Sequence, residues 1–270
     1  MSANSCQPFP SFVELAECRY GYMLYPMADQ YVGGSFQAYG EFSEGEVEAF
    51  RHLVQRGSVV LDIGANIGAH TVPLAQLTGP TGIVIAFEPQ PILHQMLCAN
   101  LALNSVPNAL THGVALSDQP GTCRIPILNY GKPFNFGGVS MDMVSEGESV
   151  PVSTLDRFQF QRVDFIKLDV EGFESKVLDG AAETLKRCRP ALYVENDRPE
   201  KSPRLIQQLM DLGYRLWWHS TPLYRPDNFR DNPENVFGDL ASLNMIAVPG
   251  DRACPLQGLR AVKGPQDWWV

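Results

Sequence analysis

The chain has 270 residues, 44% of them apolar and 19% charged, which suits an ordinary globular protein built as one large domain with small additions. A net charge of -9 with no Lys/Arg-rich block argues against a nucleic-acid partner, so a small or uncharged substrate is expected. No apolar run approaches the roughly 20 residues of a membrane span, so no membrane partner is expected.

The first eight residues lack a basic region leading into an apolar core, so no secretory signal is expected and the cytoplasm is the expected location. The six cysteines (Cys6, Cys18, Cys98, Cys123, Cys188, Cys254) are scattered without metal-type spacing, which fits a reducing compartment. Cys98 and Cys188 fall in helical patterns and read as small core hydrophobes.

Residues 1–58 read as a cover laid over one edge of a core domain. Aromatic residues recur there, with turn material at Gly33-Gly34. A helix is expected from about Ser43, with Ser43 and Glu46 as a capping box and Val47, Phe50, Leu53 and Val54 at helical spacing.

From residue 59 the pattern alternates. Residues 59–63 form an apolar strand, and a turn with Gly64, Asn66 and Gly68 leads into a helix to about Leu77. Residues 83–87 form a second strand ending at Glu88-Pro89, followed by a helix over 91–103. Residues 109–116 form a third strand ending at Ser117-Asp118. Near-continuous apolar strands alternating with helices imply a parallel sheet covered on both faces.

The rhythm breaks at residues 121–152, where two extended segments flank a long loop, 129–147, of the kind that is functional or mobile. It resumes with a strand over 163–168 ending at Asp169 and Glu171, then a helix with Val177, Leu178, Ala181 and Leu185 inward. A strand over 191–194 ends at Glu195. A helix over 203–212, a strand over 214–218, a polar loop over 220–239 and a last strand over 243–248 complete a core domain of residues 59–250. Residues 251–270 read as a tail.

Ligands of doubly wound sheets bind at the carboxyl ends of the strands. Those ends carry Asp62, Glu88, Ser117-Asp118, Asp169 with Glu171, and Glu195. Glu88 stands about 20 residues past the glycine turn, where an acidic side chain accepts hydrogen bonds from both ribose hydroxyls. In the turn itself Asn66 takes the place of the glycine that would admit a pyrophosphate. Asp62 suits a cofactor bearing an ammonium group. Binding of a methyl donor therefore stands above binding of a dinucleotide, with an NAD-linked oxidoreductase as the competing reading and a non-catalytic binding module on the same fold as the third.

Residues 61–71 (LDIGANIGAHT) resemble the first motif of class I S-adenosylmethionine-dependent methyltransferases in the form seen in the FkbM family. Phe87-Glu88-Pro89, residues 114–118, Thr154-Leu155-Asp156, residues 165–174 (FIKLDVEGFE) and residues 243–249 also resemble that family's segments, in the same order. The resemblance implies a Rossmann-like α/β fold with a seven-stranded, mostly parallel sheet, its last strand antiparallel and helices on both faces. It implies transfer of a methyl group from S-adenosylmethionine to a hydroxyl of a small natural product, sugar or glycan. It implies a cofactor site built from Tyr39, Glu41, Asp62, Gly64, Ala65, Asn66, Gly68, Thr71, Glu88, Pro89, Ala115, Ser117 and Asp169.

Asp169 is the first candidate for base or acceptor-orienting group, with Glu171, Glu195 and His219 behind it. Asp169, Glu171 and Glu195 could also hold a divalent metal through oxygen, although no spacing demands one. The loops 129–147 and 220–239 are expected to wall the acceptor site, with Asn135, Ser140, Trp217, Trp218 and Tyr224 as candidate contacts. A monomer or homodimer is expected.

Overall fold

The computed structural model describes residues 11–140 and 146–269. An eight-stranded sheet forms its centre. The strands are β3 (Val59–Ile63), β4 (Ile83–Phe87), β5 (Ala109–His112), β9 (Phe165–Leu168), β10 (Ala191–Glu195), β11 (Tyr214–Pro222), β12 (Ala241–Pro249) and β13 (Arg260–Ala261). Their order across the sheet is β13-β11-β12-β10-β9-β3-β4-β5. The five strands from β10 to β5 run parallel, whereas β12 is antiparallel to β10 and β11 antiparallel to β12.

The sheet is buried on both faces because its strands are apolar at consecutive positions. Leu61, Ile63, Ile166, Leu168, Leu192 and Val194 belong to one core cluster, and Val60, Val84, Phe165, Tyr193 and Ile246 to another. Each such side chain contributes about 1.5–3 kcal/mol by leaving water. The crossovers are α3 (Thr71–Thr78), α4 (Pro91–Leu103), α5 (Glu174–Asp179) with α6 (Ala182–Cys188), and α7 (Ser202–Asp211).

The seven expected strands are present, and the tail adds an eighth. β13 pairs with β11, Trp217 opposite Ala261. Arg260 holds this edge through Asp267 at 2.9 Å and lies over the rings of Trp218 and Trp269. The tail thus contributes β13 to the sheet's edge.

The third strand is shorter than expected. The chain leaves the main sheet after His112, and β6 (Ala115–Leu116) pairs with β8 (Glu148–Ser153) instead. β7 (Gly121–Ile125) runs antiparallel to β8 and completes the small sheet that the break in rhythm foreshadowed.

The cover is a hairpin, β1 (Val13–Cys18) and β2 (Gly21–Pro26), with helices α1 (Val32–Tyr39) and α2 (Glu44–Leu53). Asn100 of α4 and Asn104 at its C-cap tie the hairpin to the core by accepting from Leu24 N at 2.6 Å and Tyr22 N at 2.8 Å. Gly33-Gly34 lies inside α1 rather than in a turn. A Cβ at Gly33 would meet Pro26 O at 2.7 Å, so this glycine lets the helix sit directly on the hairpin.

Ser43 does not form a capping box. Its φ of 45° is left-handed, and its hydroxyl donates to the Glu46 carboxylate at 2.9 Å instead of accepting from the helix backbone. Cys98 lies on the exposed side of α4, and Cys188 is half-buried, so neither is a core residue. Among the described residues, no helix is long and apolar enough to cross a membrane.

Candidate active site

A cavity of about 360 Å³ opens at the carboxyl ends of β3, β4, β9 and β10. This is the crevice position and size expected of a small-molecule site in a doubly wound sheet. Gly64, Ala65, Asn66, Glu88, Pro89, Ala115, Asp169, Glu171 and Glu195 all line it, so most of the strand-end residues singled out in the sequence converge.

β3 ends in a turn that exposes backbone to the cavity. Gly64 has φ of 82°, and a Cβ there would meet Asp169 O at 1.7 Å. The glycine thus lets the ends of β3 and β9 close on each other. Asn66 is also left-handed, at φ 52°, and a Cβ at Gly137 would meet its side-chain nitrogen at 2.4 Å. A side chain therefore projects where a pyrophosphate would need bare backbone, which works against the dinucleotide reading.

Glu88 is 5% exposed, with Oε2 accepting from Asn66 N and Oε1 from Gln90 N, both at 2.8 Å. Burial pushes its carboxyl up to about 7, against the pull of these two donors. Each oxygen keeps a further lone pair, so the group can still accept from a diol.

Apolar groups, among them Val114, Leu116 and Ile125, line the cavity with Glu88. Such a lining suits an apolar ring.

Asp62 does not line the cavity. It is fully buried, takes the Thr71 hydroxyl at 2.6 Å and lies 3.6 Å from Lys167 Nζ. Lys167 also donates to Gly64 O and to Asp169 Oδ2, each at 3.2 Å. Burial opposes the Lys167 charge, but Asp169, Asp62 and Glu46 outweigh it and hold the ammonium above its usual range. Asp62 and Thr71 accordingly brace Lys167 beneath the glycine turn.

A group of carboxylates occupies the other end. Ligand atoms of Asp169, Glu171 and Glu195 lie within 4.8 Å of one another, the one cluster among the described residues spaced for a metal ion. The chain supplies counter-charge of its own there. Arg198 pairs with Glu171, lies 3.4 Å from Glu195 and 3.0 Å from Asp197, while Lys167 holds Asp169. Burial, then Asp169, raises the Glu171 carboxyl to about 7, and burial with Asp169 and Glu171 holds Glu195 well above the ordinary range. No side chain caps the following helix; Glu174, its first residue, instead holds the turn before it, accepting from Val170 N at 3.1 Å and Gly172 N at 3.0 Å.

Other expected contacts lie away from the cavity. Tyr39 is fully buried, its hydroxyl donating to Glu234 O at 3.0 Å and accepting from Val236 N at 2.8 Å. Glu41 takes Arg19 at 2.7 Å and Phe229 N at 2.8 Å. These two residues staple the cover to the 223–240 loop. His219 faces Tyr193, its Nδ1 2.8 Å from the phenol oxygen.

Gly68 packs on Leu97, and Ser117 bonds Asp118. Of the five suggested acceptor contacts only Asn135 lines the cavity. Trp218 is core, and the Tyr224 hydroxyl donates to Pro233 O at 3.0 Å.

Glu46, His70 and Lys167 are among the lining residues that were not singled out as site residues from the sequence. Lys167 had a signal, since a lysine inside the run Phe165–Leu168 must be buried and so needs partners. Glu46 looks like one more acid in the polar first turn of a helix, and His70 like a turn residue.

Residues 62–216 match the family described as methyltransferase FkbM domain. Methyltransferase sdnD of Sordaria araneosa is 27% identical over 205 residues, covering 63% of this chain and 78% of that protein. A tRNA(Phe) (4-demethylwyosine(37)-C(7)) aminocarboxypropyltransferase of Methanocaldococcus jannaschii is 33% identical over 72 residues, covering 26% of this chain and 28% of that protein. The crystal structure of methyltransferase FkbM from Methylobacillus flagellatus KT superposes with a TM-score of 0.47 at 19% identity, covering 71% of this chain and 44% of that one. With the family match extending over more than half of its residues, this chain belongs to the FkbM methyltransferase family.

Proposed function

We propose that this protein binds S-adenosylmethionine in the strand-end cavity and methylates a hydroxyl oxygen of a small natural product, sugar or glycan. The observation that carries this reading is the pairing, in one cavity, of a ribose-type carboxylate at Glu88 with a cluster of carboxylates at Asp169, Glu171 and Glu195. The donor set suits the cofactor: Glu88 for the ribose hydroxyls, the apolar lining at Val114, Leu116 and Ile125 for a purine, and the exposed backbone of Gly64 to Asn66 between the two ends.

When bound, the cofactor supplies a methyl group already activated as a sulfonium. The protein's share is alignment of the acceptor and removal of its proton. Asp169 is anchored through Oδ2 by Lys167, which fixes the direction of its carboxylate toward the cavity. It accepts the hydrogen bond of the acceptor hydroxyl and so orients it. Asp169 is also the group that takes that proton, since burial and acidic neighbours favour the protonated form of Glu195 beside it.

Leu223, Leu240 and Leu243 line the same cavity and limit access of water. Lys167 and Arg198 supply part of the counter-charge at these carboxylates, and no step of the transfer calls on a metal ion.

Isothermal titration tests the reading. Micromolar or tighter binding of S-adenosylmethionine or S-adenosylhomocysteine is expected, and absence of binding by both contradicts it. The acceptor is a neutral molecule rather than a nucleic acid, in keeping with the net charge of -9. A monomer or homodimer in the cytoplasm completes the proposal.

A further inference from the structure

With Asp62 buried beneath the turn, the amino-acid end of the proposed methyl donor lacks its expected partner. Another pair faces the cavity beside the same turn. Glu46 and His70 both line it, at 4% and 5% exposure.

His70 is the N-cap residue of α3 and its side chain makes no capping hydrogen bond. Its Nε2 is buried with no hydrogen-bond partner among the described residues. Phe42 and Phe50 pack against the ring at centroid distances of 5.6 and 5.3 Å, which fixes its plane. Burial, with the Lys167 ammonium nearby, holds the imidazole well below its usual pKa, so it is neutral at pH 7. Glu46 Oε1 accepts from Ser43 Oγ at 2.9 Å and Asn244 Nδ2 at 3.3 Å. Glu46 Oε2 lies 3.9 Å from His70 Nε2.

An acceptor and an unused donor site therefore stand side by side, too far apart to bond to each other. A zwitterion presents the complementary pair, an ammonium next to a carboxylate. The rest of the cavity cannot take that carboxylate. Asp169, Glu171 and Glu195 repel it, and Lys167 Nζ already serves Gly64 O, Asp169 and Asp62. The start of α3 attracts it, because backbone N–H groups and the helix dipole favour an anion there.

We infer that Glu46 and His70 form the subsite for the amino-acid end of the methyl donor. The Glu46 carboxylate accepts from the α-ammonium, and His70, with its proton on Nε2, donates to the α-carboxylate at the start of α3. The inference rests on the proposed S-adenosylmethionine reading and assigns the role that Asp62 was expected to fill.

Titration of two ligands that differ only in this end tests it. S-adenosylhomocysteine carries the amino-acid end, and 5′-methylthioadenosine keeps the adenosine and the sulfur without it. Glu46→Gln and His70→Phe are each expected to weaken S-adenosylhomocysteine at least about tenfold, since each removes a charge-assisted contact. Both variants should bind 5′-methylthioadenosine within about twofold of the wild type, which also shows that they are folded.

Equal loss of both ligands would assign the pair to packing and overturn the inference, as would unchanged binding of both. A wild type that binds neither ligand contradicts the S-adenosylmethionine reading itself, and the subsite falls with it.

Discussion

Lys167 Nζ lies 3.2 Å from Asp169 Oδ2 and 3.6 Å from Asp62 Oδ1. One buried ammonium thus ties the first acid of the glycine-turn motif to the acid at the end of β9, across the adjacent strands β3 and β9. Lys167→Met should leave Asp62 buried and uncompensated and cost about 3–5 kcal/mol of stability. Asp62→Asn added to it should restore part of that loss. Urea denaturation of the three variants measures both effects, and additive losses in the double variant would contradict the pairing.

Gly64 should tolerate no side chain. Its φ of 82° and the approach of Asp169 O leave no room for a Cβ. Gly64→Ala is expected to abolish cofactor binding, as read by titration, because β3 and β9 would have to separate at the cavity floor.

Glu88 sets a pH dependence for binding. Its carboxyl lies at about 7 in the free protein, and the ribose hydroxyls need it ionised. Protonation therefore competes with binding, and the affinity for S-adenosylhomocysteine should fall about tenfold between pH 8 and pH 6. Glu88→Gln should bind more weakly at pH 8 and show no such slope. A pH-independent wild type would remove Glu88 from the ribose role.

Glu195 sets a pH dependence for stability. A carboxyl with a raised folded pKa keeps its proton where the unfolded chain has released it. Its contribution to stability is then full below the unfolded value of about 4.3 and is lost as the pH rises toward the folded value. Glu195→Gln removes that loss, so the variant should gain in Tm over the wild type at pH 8 and show little difference at pH 4.5. A constant difference across this range would show that Glu195 is not held in the protonated form.

Much of the frame was legible because its physics is local. The apolar runs at 59–63, 83–87, 165–168 and 191–194 could be satisfied only by burial on both faces, and the acids that follow them had to meet at one edge. Depth within the site was not legible. Asp62 and Glu88 look alike as strand-end acids, yet one is braced beneath the turn by Lys167 and Thr71 and the other faces the cavity.

Residues brought in from distant segments were also hidden. Glu46 reaches the cavity only because α2 folds back over β12, where Asn244 meets it. β13 was missed because two residues carry no readable alternation; its place follows from Arg260 meeting Trp218 and Asp267.

Methyl transfer at the Glu88–Asp169 cavity can be followed in a single-turnover reaction with methyl-labelled S-adenosylmethionine and a panel of hydroxyl-bearing acceptors. Label is expected on an acceptor oxygen with the wild type, and Asp169→Asn should keep its cofactor affinity while transferring at least about a hundredfold more slowly. Transfer to carbon or nitrogen instead of oxygen, or an Asp169→Asn variant as fast as the wild type, would contradict the proposed function.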